Sequence, residues 1–199
     1  SMYKVKVISL KKRQDRRKKI AHMFQHIDFE FCDGIDGETY KLTKFDKEFV
    51  KGNDYEKWGV HIPSLVCANY THLNLLDECS KQDLPYFIFE DDIFLNEDEK
   101  TPENYFETLS SVNDLDAFWF IPNEPSIAAY IVWPEGAKKM IDYVENVSKL
   151  RRGLDWAFWD LRKSKNFRGD QAKISYFEHK PGEDSDITTI ENYDISSNK

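Results

Sequence analysis

Residues 86–93 read Tyr-Phe-Ile-Phe-Glu-Asp-Asp-Ile, an apolar run that ends in three adjacent carboxylates. Phe87, Ile88 and Phe89 read as the buried core of a strand, bounded upstream by Pro85. Three acids where such a strand leaves the core concentrate negative charge at one edge of a sheet, and like charges repel in a partly desolvated place. A divalent cation relieves that repulsion, and Mg2+ or Mn2+ prefers hard carboxylate oxygens. A solvated acidic loop is the plainer alternative. Along a strand Glu90 and Asp92 share one face while Asp91 points to the other, so chelation by all three requires a turn at Asp91 or Asp92.

The rest of the chain alternates strand-like and helix-like segments. Tyr3 to Leu10 alternates and then turns apolar, as a first strand does, and Arg13 to His26 follows as a helix with Ile20, Met23, Phe24 and Ile27 on one face. Phe29 to Cys32 reads as a second strand, closed by the Asp/Gly turn Asp33-Gly34-Ile35-Asp36-Gly37. Residues 38–62 are mixed and charged and read as an irregular insertion, and a helix is expected from about Ser64 to Cys79. After the acidic strand come a loop with Pro102 and strands at 117–121 and 127–133. A helix then starts at Pro134, a short amphipathic helix spans 154–161, and a last short strand spans 174–178. Strands alternating with helices over 199 residues predict a single α/β domain, and ligands in such sheets sit at the carboxyl ends of the strands. Glu90, Asp91 and Asp92 fall at such an end.

Composition narrows the function classes. A net charge of −8 argues against general nucleic-acid binding, which needs a basic surface. Against that background Lys11, Lys12, Arg13, Arg16, Arg17, Lys18 and Lys19 form a local basic cluster, either a solvated helix face or a receiver of phosphate. Cys32, Cys67 and Cys79 form no CxxC pair, so reduced thiols are expected, which favours a cytoplasmic setting. No apolar stretch is long enough to span a bilayer.

Several segments resemble, in order, the family 25 glycosyltransferases. Val7-Ile8-Ser9-Leu10 with Arg13, Asp15, Arg16 and Arg17 resembles the family's opening "INL-x-R-x-x-R", and Cys32 to Gly37 resembles its "A-x-D-G" turn. Ala68 to Leu73 resembles its "C-x-L-S-H" helix, and Phe89-Glu90-Asp91-Asp92-Ile93 matches "L-E-D-D-V". Ala129 to Val132 with Gly136-Ala137-Lys138-Lys139 resembles "A-Y-x-I … G-A-x-K", while Leu154-Asp155-Trp156 and Ser185-Asp186-Ile187 match later positions. Two places depart from the pattern. Ser9 stands where the family usually has Asn, and Pro63-Ser64-Leu65 replaces a Gly-Glu pair that often precedes the helix.

The resemblance implies a GT-A-like α/β fold: a mixed, mostly parallel sheet flanked by helices. It divides the chain into a nucleotide-sugar half (1–95), an acceptor-side half (96–184) and a polar tail (185–199). The family includes lipooligosaccharide and collagen galactosyltransferases. The activity implied is transfer of a hexose from a UDP-sugar to a glycan or protein-linked hydroxyl, with inversion at the anomeric carbon and with Mn2+ or Mg2+. The two departures leave a rival of another class open, a degenerate member that binds nucleotide or glycan without turnover.

Such a reaction needs cations for the leaving diphosphate, a pocket for base and ribose, and a base for the acceptor hydroxyl. Asp92 is the first choice as metal ligand, with Asp91 and Glu90 sharing metal, ribose or supporting roles. His179 is either a third ligand or an ordinary exposed histidine. Arg13 and Arg17 suit bidentate contacts to diphosphate, and Ser9 and Leu10 end the first strand where base and ribose commonly sit. Asp36 and Gly37 either approach the nucleotide or simply make a turn. Asp155, beside Trp156, is a candidate general base or a helix N-cap. His72 is either catalytic or a satisfied core histidine.

Overall fold

The computed structural model describes residues 2–50, 59–96, 102–148 and 153–179. Its centre is a six-stranded sheet built from β1 (Lys4–Ser9), β2 (Glu30–Asp33), β3 (Tyr86–Glu90), β5 (Ala117–Trp119), β6 (Ala129–Val132) and β7 (Gly169–Gln171), in the order β2-β1-β3-β6-β5-β7. The β1–β2, β1–β3 and β5–β7 pairs are parallel. Only β6 runs against its neighbours β3 and β5. The fold is therefore the expected α/β sheet, mostly parallel and flanked by helices.

Strand β3 is apolar from Tyr86 to Phe89 because it is covered twice. Phe87 and Phe89 join Val5, Val7, Ile20, Phe24, Phe106, Phe120 and Phe177 in one core, which takes in α1 (Gln14–Met23) and α4 (Pro102–Ser110). Tyr86 and Ile88 point the other way, into a core with Leu76, Cys79, Tyr130, Met140 and Phe158. That side carries α3 (Ile62–Ser80), α5 (Pro134–Tyr143) and α6 (Leu154–Leu161). Burying a phenylalanine contributes about 1.5–3 kcal/mol, so the stack of Phe87 on Phe106, 4.3 Å between ring centres, fixes the sheet firmly to α4.

The helices start where their sequence allows. His61 is the N-cap of α3 and Pro63 lies within its first turn, two residues earlier than the helix was expected to begin. Pro134 opens α5 after an extended Trp133. Residues 38–62 are not wholly irregular. Thr43 and Asp46 form a capping box that starts α2 (Lys44–Phe49), a device too local for hydrophobic periodicity to reveal. The Pro102 loop is likewise a helix, α4, with proline in its first turn. Residues 185–187 lie outside the described residues.

A separate two-stranded ribbon pairs β4 (Ile93–Leu95) with β8 (Phe177–His179), antiparallel, with Ile93 opposite His179. Phe177 anchors the ribbon, its ring 5.0 Å from Phe89 and 5.3 Å from Phe120. The turn that separates β3 from β4 falls on Asp91 and Asp92, where the acidic run requires it.

Candidate active site

The acidic strand end divides its charges between the two faces of the sheet. Glu90, last residue of β3, turns to the α3 side, where its Oε2 lies 3.1 Å from His72 Nε2. His72 is fully buried, and its Nδ1 lies 3.0 Å from the Tyr130 hydroxyl on β6. Burial first, then the Glu90 charge, pushes the Tyr130 phenol well above its usual range. His72 thus has both ring nitrogens engaged inside the protein.

Asp91 turns to the α1 side and is buried. Its Oδ2 accepts a 2.7 Å hydrogen bond from Ser9 Oγ, and its Oδ1 accepts one of 3.0 Å from Arg16 Nη1. Lys19 Nζ donates to the Asp91 carbonyl at 2.9 Å and sits 4.0 Å above the Phe94 ring. Burial pushes the Asp91 carboxyl up, against the pull of the Ser9 hydroxyl and the Arg16 guanidinium. Burial likewise lowers the Lys19 ammonium, against the charges of Asp92 and Asp91. The repulsion expected of three adjacent acids is therefore met largely from within the chain, by Arg16 and Lys19.

Sequence reasoning gives Lys19 no individual role and Arg16 only a place in the family's opening motif, both within a basic cluster open as a solvated face or a receiver of phosphate. The signal was present: Arg16 precedes Ile20 by one helical turn and so shares the buried face of α1. Tyr130 was read only as strand core, and its hydroxyl has no periodic signature.

Ser9 is the hinge at the carboxyl end of β1. Its carbonyl accepts Gly34 N at 3.1 Å and Arg17 Nη2 at 2.8 Å, which ties the end of β1 to the turn after β2. Arg17 also reaches Asp33 at 2.7 Å and lies 4.8 Å over the Phe31 ring. Arg13 pairs with Asp15 through two contacts of 3.0 and 3.1 Å. Leu10 follows Ser9 and closes on Arg13 N through its carbonyl.

Asp36 accepts from the Glu38 amide at 3.0 Å and pairs with Lys12 at 3.2 Å, and these hold its carboxyl below the usual range. Gly37 approaches α3, for a Cβ there would sit 2.4 Å from Ser64 Cα. Its freedom from a side chain is spent on helix packing. Asp155 lies in the first turn of α6, whose N-cap is Gly153. The preceding Leu154 N reaches Asn69 Oδ1 at 3.5 Å, which brings this turn against α3.

For a divalent cation the residues present form a reduced set. Among the described residues no three His, Cys, Asp or Glu side chains come together as a ready-made cage. Asp91 and Glu90 are engaged by Ser9, Arg16 and His72, and Asp92 remains at the turn. The ribbon register brings β8 beside it, with His179 opposite Ile93. Such a set fits a cation held by one or two protein groups and completed by substrate phosphates and water, as Mg2+ commonly is.

A family model described as "Glycosyltransferase family 25 (LPS biosynthesis protein)" matches residues 2–124, the stretch from β1 through β5. No curated protein sequence matches the chain. Among solved structures the fold is similar to that of a glycosyltransferase involved in the glycosylation of the major capsid of PBCV-1. The TM-score is 0.52 at 11% identity, covering 96% of this chain and 97% of that one. The apo-form glycosyltransferase GlyE of Streptococcus pneumoniae TIGR4 aligns at TM-score 0.43 and 9% identity, over 85% of this chain and 45% of that one, and adds nothing to the argument. With the family's opening, turn, helix and acidic motifs all inside the matched stretch, this chain belongs to glycosyltransferase family 25.

Proposed function

We propose that the protein transfers a hexose from a UDP-sugar to a hydroxyl of a glycan or protein-linked acceptor, with inversion at the anomeric carbon. The observation that carries this reading is the turn at Asp91–Asp92, at the carboxyl edge of a parallel sheet and next to the end of β1. Donor nucleotides bind at that edge in folds of this kind.

Ser9 and Leu10 border the base and ribose, and Arg13 and Arg17 face the diphosphate. Their partners Asp15 and Asp33 are exposed. Surface ion pairs contribute only about 0–1 kcal/mol, so exchanging a carboxylate for a phosphate costs little. Asp92 and His179 are the groups that would hold Mn2+ or Mg2+, which supplies charge neutralisation on the leaving diphosphate. The carboxylate of Asp91 stays inside, where it orients Ser9 and Arg16. Asp155 and Trp156 open the acceptor side.

Calorimetric titration of UDP with Mn2+ and with EDTA, on wild type and Asp92→Ala, tests the reading. Metal-dependent binding that is lost in Asp92→Ala is the expected result. Equal binding with and without metal removes the cation role, and no UDP binding at all removes the donor. Tight UDP binding without donor hydrolysis would identify a degenerate, non-catalytic member.

A further inference from the structure

We propose that Glu90 is the catalytic residue that takes the acceptor hydroxyl's proton, and that His72 and Tyr130 are positioning residues that hold it. This inference rests on the transferase reading above and assigns the base within it. As the acceptor oxygen bonds to the anomeric carbon, the bond from that carbon to the diphosphate oxygen breaks. Its electron pair leaves with the nucleoside diphosphate, and the hydroxyl proton passes to the Glu90 carboxylate.

Three observations support it. First, Glu90 ends β3 immediately before the turn, and its side chain is 22% exposed, so it is both held by the fold and open to a ligand. Second, its fixation is one-sided. Oε2 meets His72 Nε2 at 3.1 Å, while the other oxygen, Oε1, carries no contact to His72. Third, the support behind it is a buried chain rather than a solvated pair. Tyr130 is completely buried, and its hydroxyl lies 3.0 Å from His72 Nδ1. A carboxylate only accepts, so the 3.1 Å contact places an Nε2–H of His72 on Glu90. The His72 and Tyr130 rings stack 22° from parallel, which fixes the imidazole plane.

A carboxylate held by a histidine whose far nitrogen is itself held is a pre-organised proton acceptor. A purely structural buried histidine needs no carboxylate at the ligand edge. Asp155 is the competing base, and it lies in the first turn of a helix with Trp156 N donating to its Oδ1 at 2.9 Å.

The test measures UDP-sugar hydrolysis, with water as acceptor, beside calorimetric UDP affinity. Glu90→Gln should lose about 100-fold or more in kcat while UDP affinity is unchanged. His72→Gln keeps an N–H directed at Glu90 and should retain most activity. His72→Leu should lower kcat by about tenfold or more with KM unchanged. Tyr130→Phe, which keeps the ring packing, should lower kcat in the same direction and serves if His72→Leu does not fold.

Full activity in Glu90→Gln overturns the proposal, as does a loss of UDP affinity matching the loss of rate, which would make Glu90 a donor ligand. Equal losses in His72→Gln and His72→Leu overturn the positioning role. Loss in Asp155→Asn with retention in Glu90→Gln transfers the base to Asp155. A wild type that binds UDP and cleaves no UDP-sugar overturns the proposal too. A wild type that binds no UDP removes the transferase reading itself, an outcome distinguishable from all of these.

Discussion

Glu90 and Asp91 are adjacent in sequence and point to opposite faces of the sheet, Glu90 to His72 on α3 and Asp91 to Arg16 on α1. The strand's two-residue period separates them, and each then finds a partner on the helix layer it meets. One carboxylate is committed to the interior and the other is presented at the edge.

Arg16→Met should therefore destabilise the fold by about 3–5 kcal/mol, because it leaves Asp91 buried without its guanidinium. Ser9→Ala removes a neutral donor from the same carboxylate and should cost less, about 1–3 kcal/mol. Urea unfolding monitored by tryptophan fluorescence gives both values. Equal, small losses would show that Asp91 does not depend on Arg16.

Asp46 is buried between α2 and α3 and accepts from the hydroxyls of Tyr40 and Tyr70 and from Thr43 N. Burial raises its carboxyl, but the bonds from Tyr70, Tyr40 and Thr43 outweigh it and the net shift is downward. A lowered carboxyl contributes stability that is full above the unfolded value, about 3.9, and is lost as pH falls through the folded value. Asp46→Asn should give a flatter decline in unfolding free energy than wild type below about pH 4. At neutral pH, Tyr70→Phe should cost about 1.5–3 kcal/mol.

The thiols should resist modification in the native state. Burial pushes Cys67 up to about 11 and Cys79 up to about 12, so both are protonated at pH 8. Cys32, partly exposed, should react first with a thiol-exchange reagent, and the other two only on unfolding. The raised values contribute stability that is full below about pH 8.5 and decays as pH climbs through the folded values. Simultaneous reaction of all three in native buffer would contradict this burial.

Gly136→Ala should destabilise by about 3 kcal/mol or more. A Cβ at that position would lie 1.9 Å from the Asp116 carbonyl oxygen, where the start of α5 presses on β5. Lys139, one turn on, reaches the buried Asp116 carboxylate at 2.9 Å. Thermal unfolding of Gly136→Ala and Lys139→Met, with UDP affinity measured on the folded fraction, separates this structural role from any part in binding.

Phe177→Ala should cost about 3–5 kcal/mol as a core truncation. It should also weaken metal-dependent UDP binding, since Phe177 anchors the strand that carries His179. Titration under conditions where the variant is still folded decides whether the second effect exists.

The fold was legible because its strands are apolar runs and its long helices carry regular apolar faces. Tyr86 to Phe89 in β3 and Ile20 and Phe24 in α1 announced themselves. The short elements α2, β4 and β7 did not, since a capping box or a three-residue ribbon leaves no period to read. At the site, the turn at Asp91–Asp92 followed from strand alternation. The counter-charges did not, because Arg16 and Lys19 reach the acids from another element. Gly37 reads either as a nucleotide-approach glycine or as a simple turn, and its packing against Ser64 leaves no mark in the sequence.

The β4–β8 ribbon has a consequence for how the protein is made. Ile93 emerges from the ribosome with the acidic turn, but its partner His179 follows 86 residues later by their numbering. Until then β4 presents an open edge directly beside three carboxylates. A nascent chain can assemble β1, β2 and β3 early, yet the turn is clasped only when residues 177–179 arrive. Donor binding should therefore switch on only once residues 177–179 have been made, as a step rather than a gradual gain. Proteolytic loss of that strand should silence the site while leaving the six-stranded sheet in place.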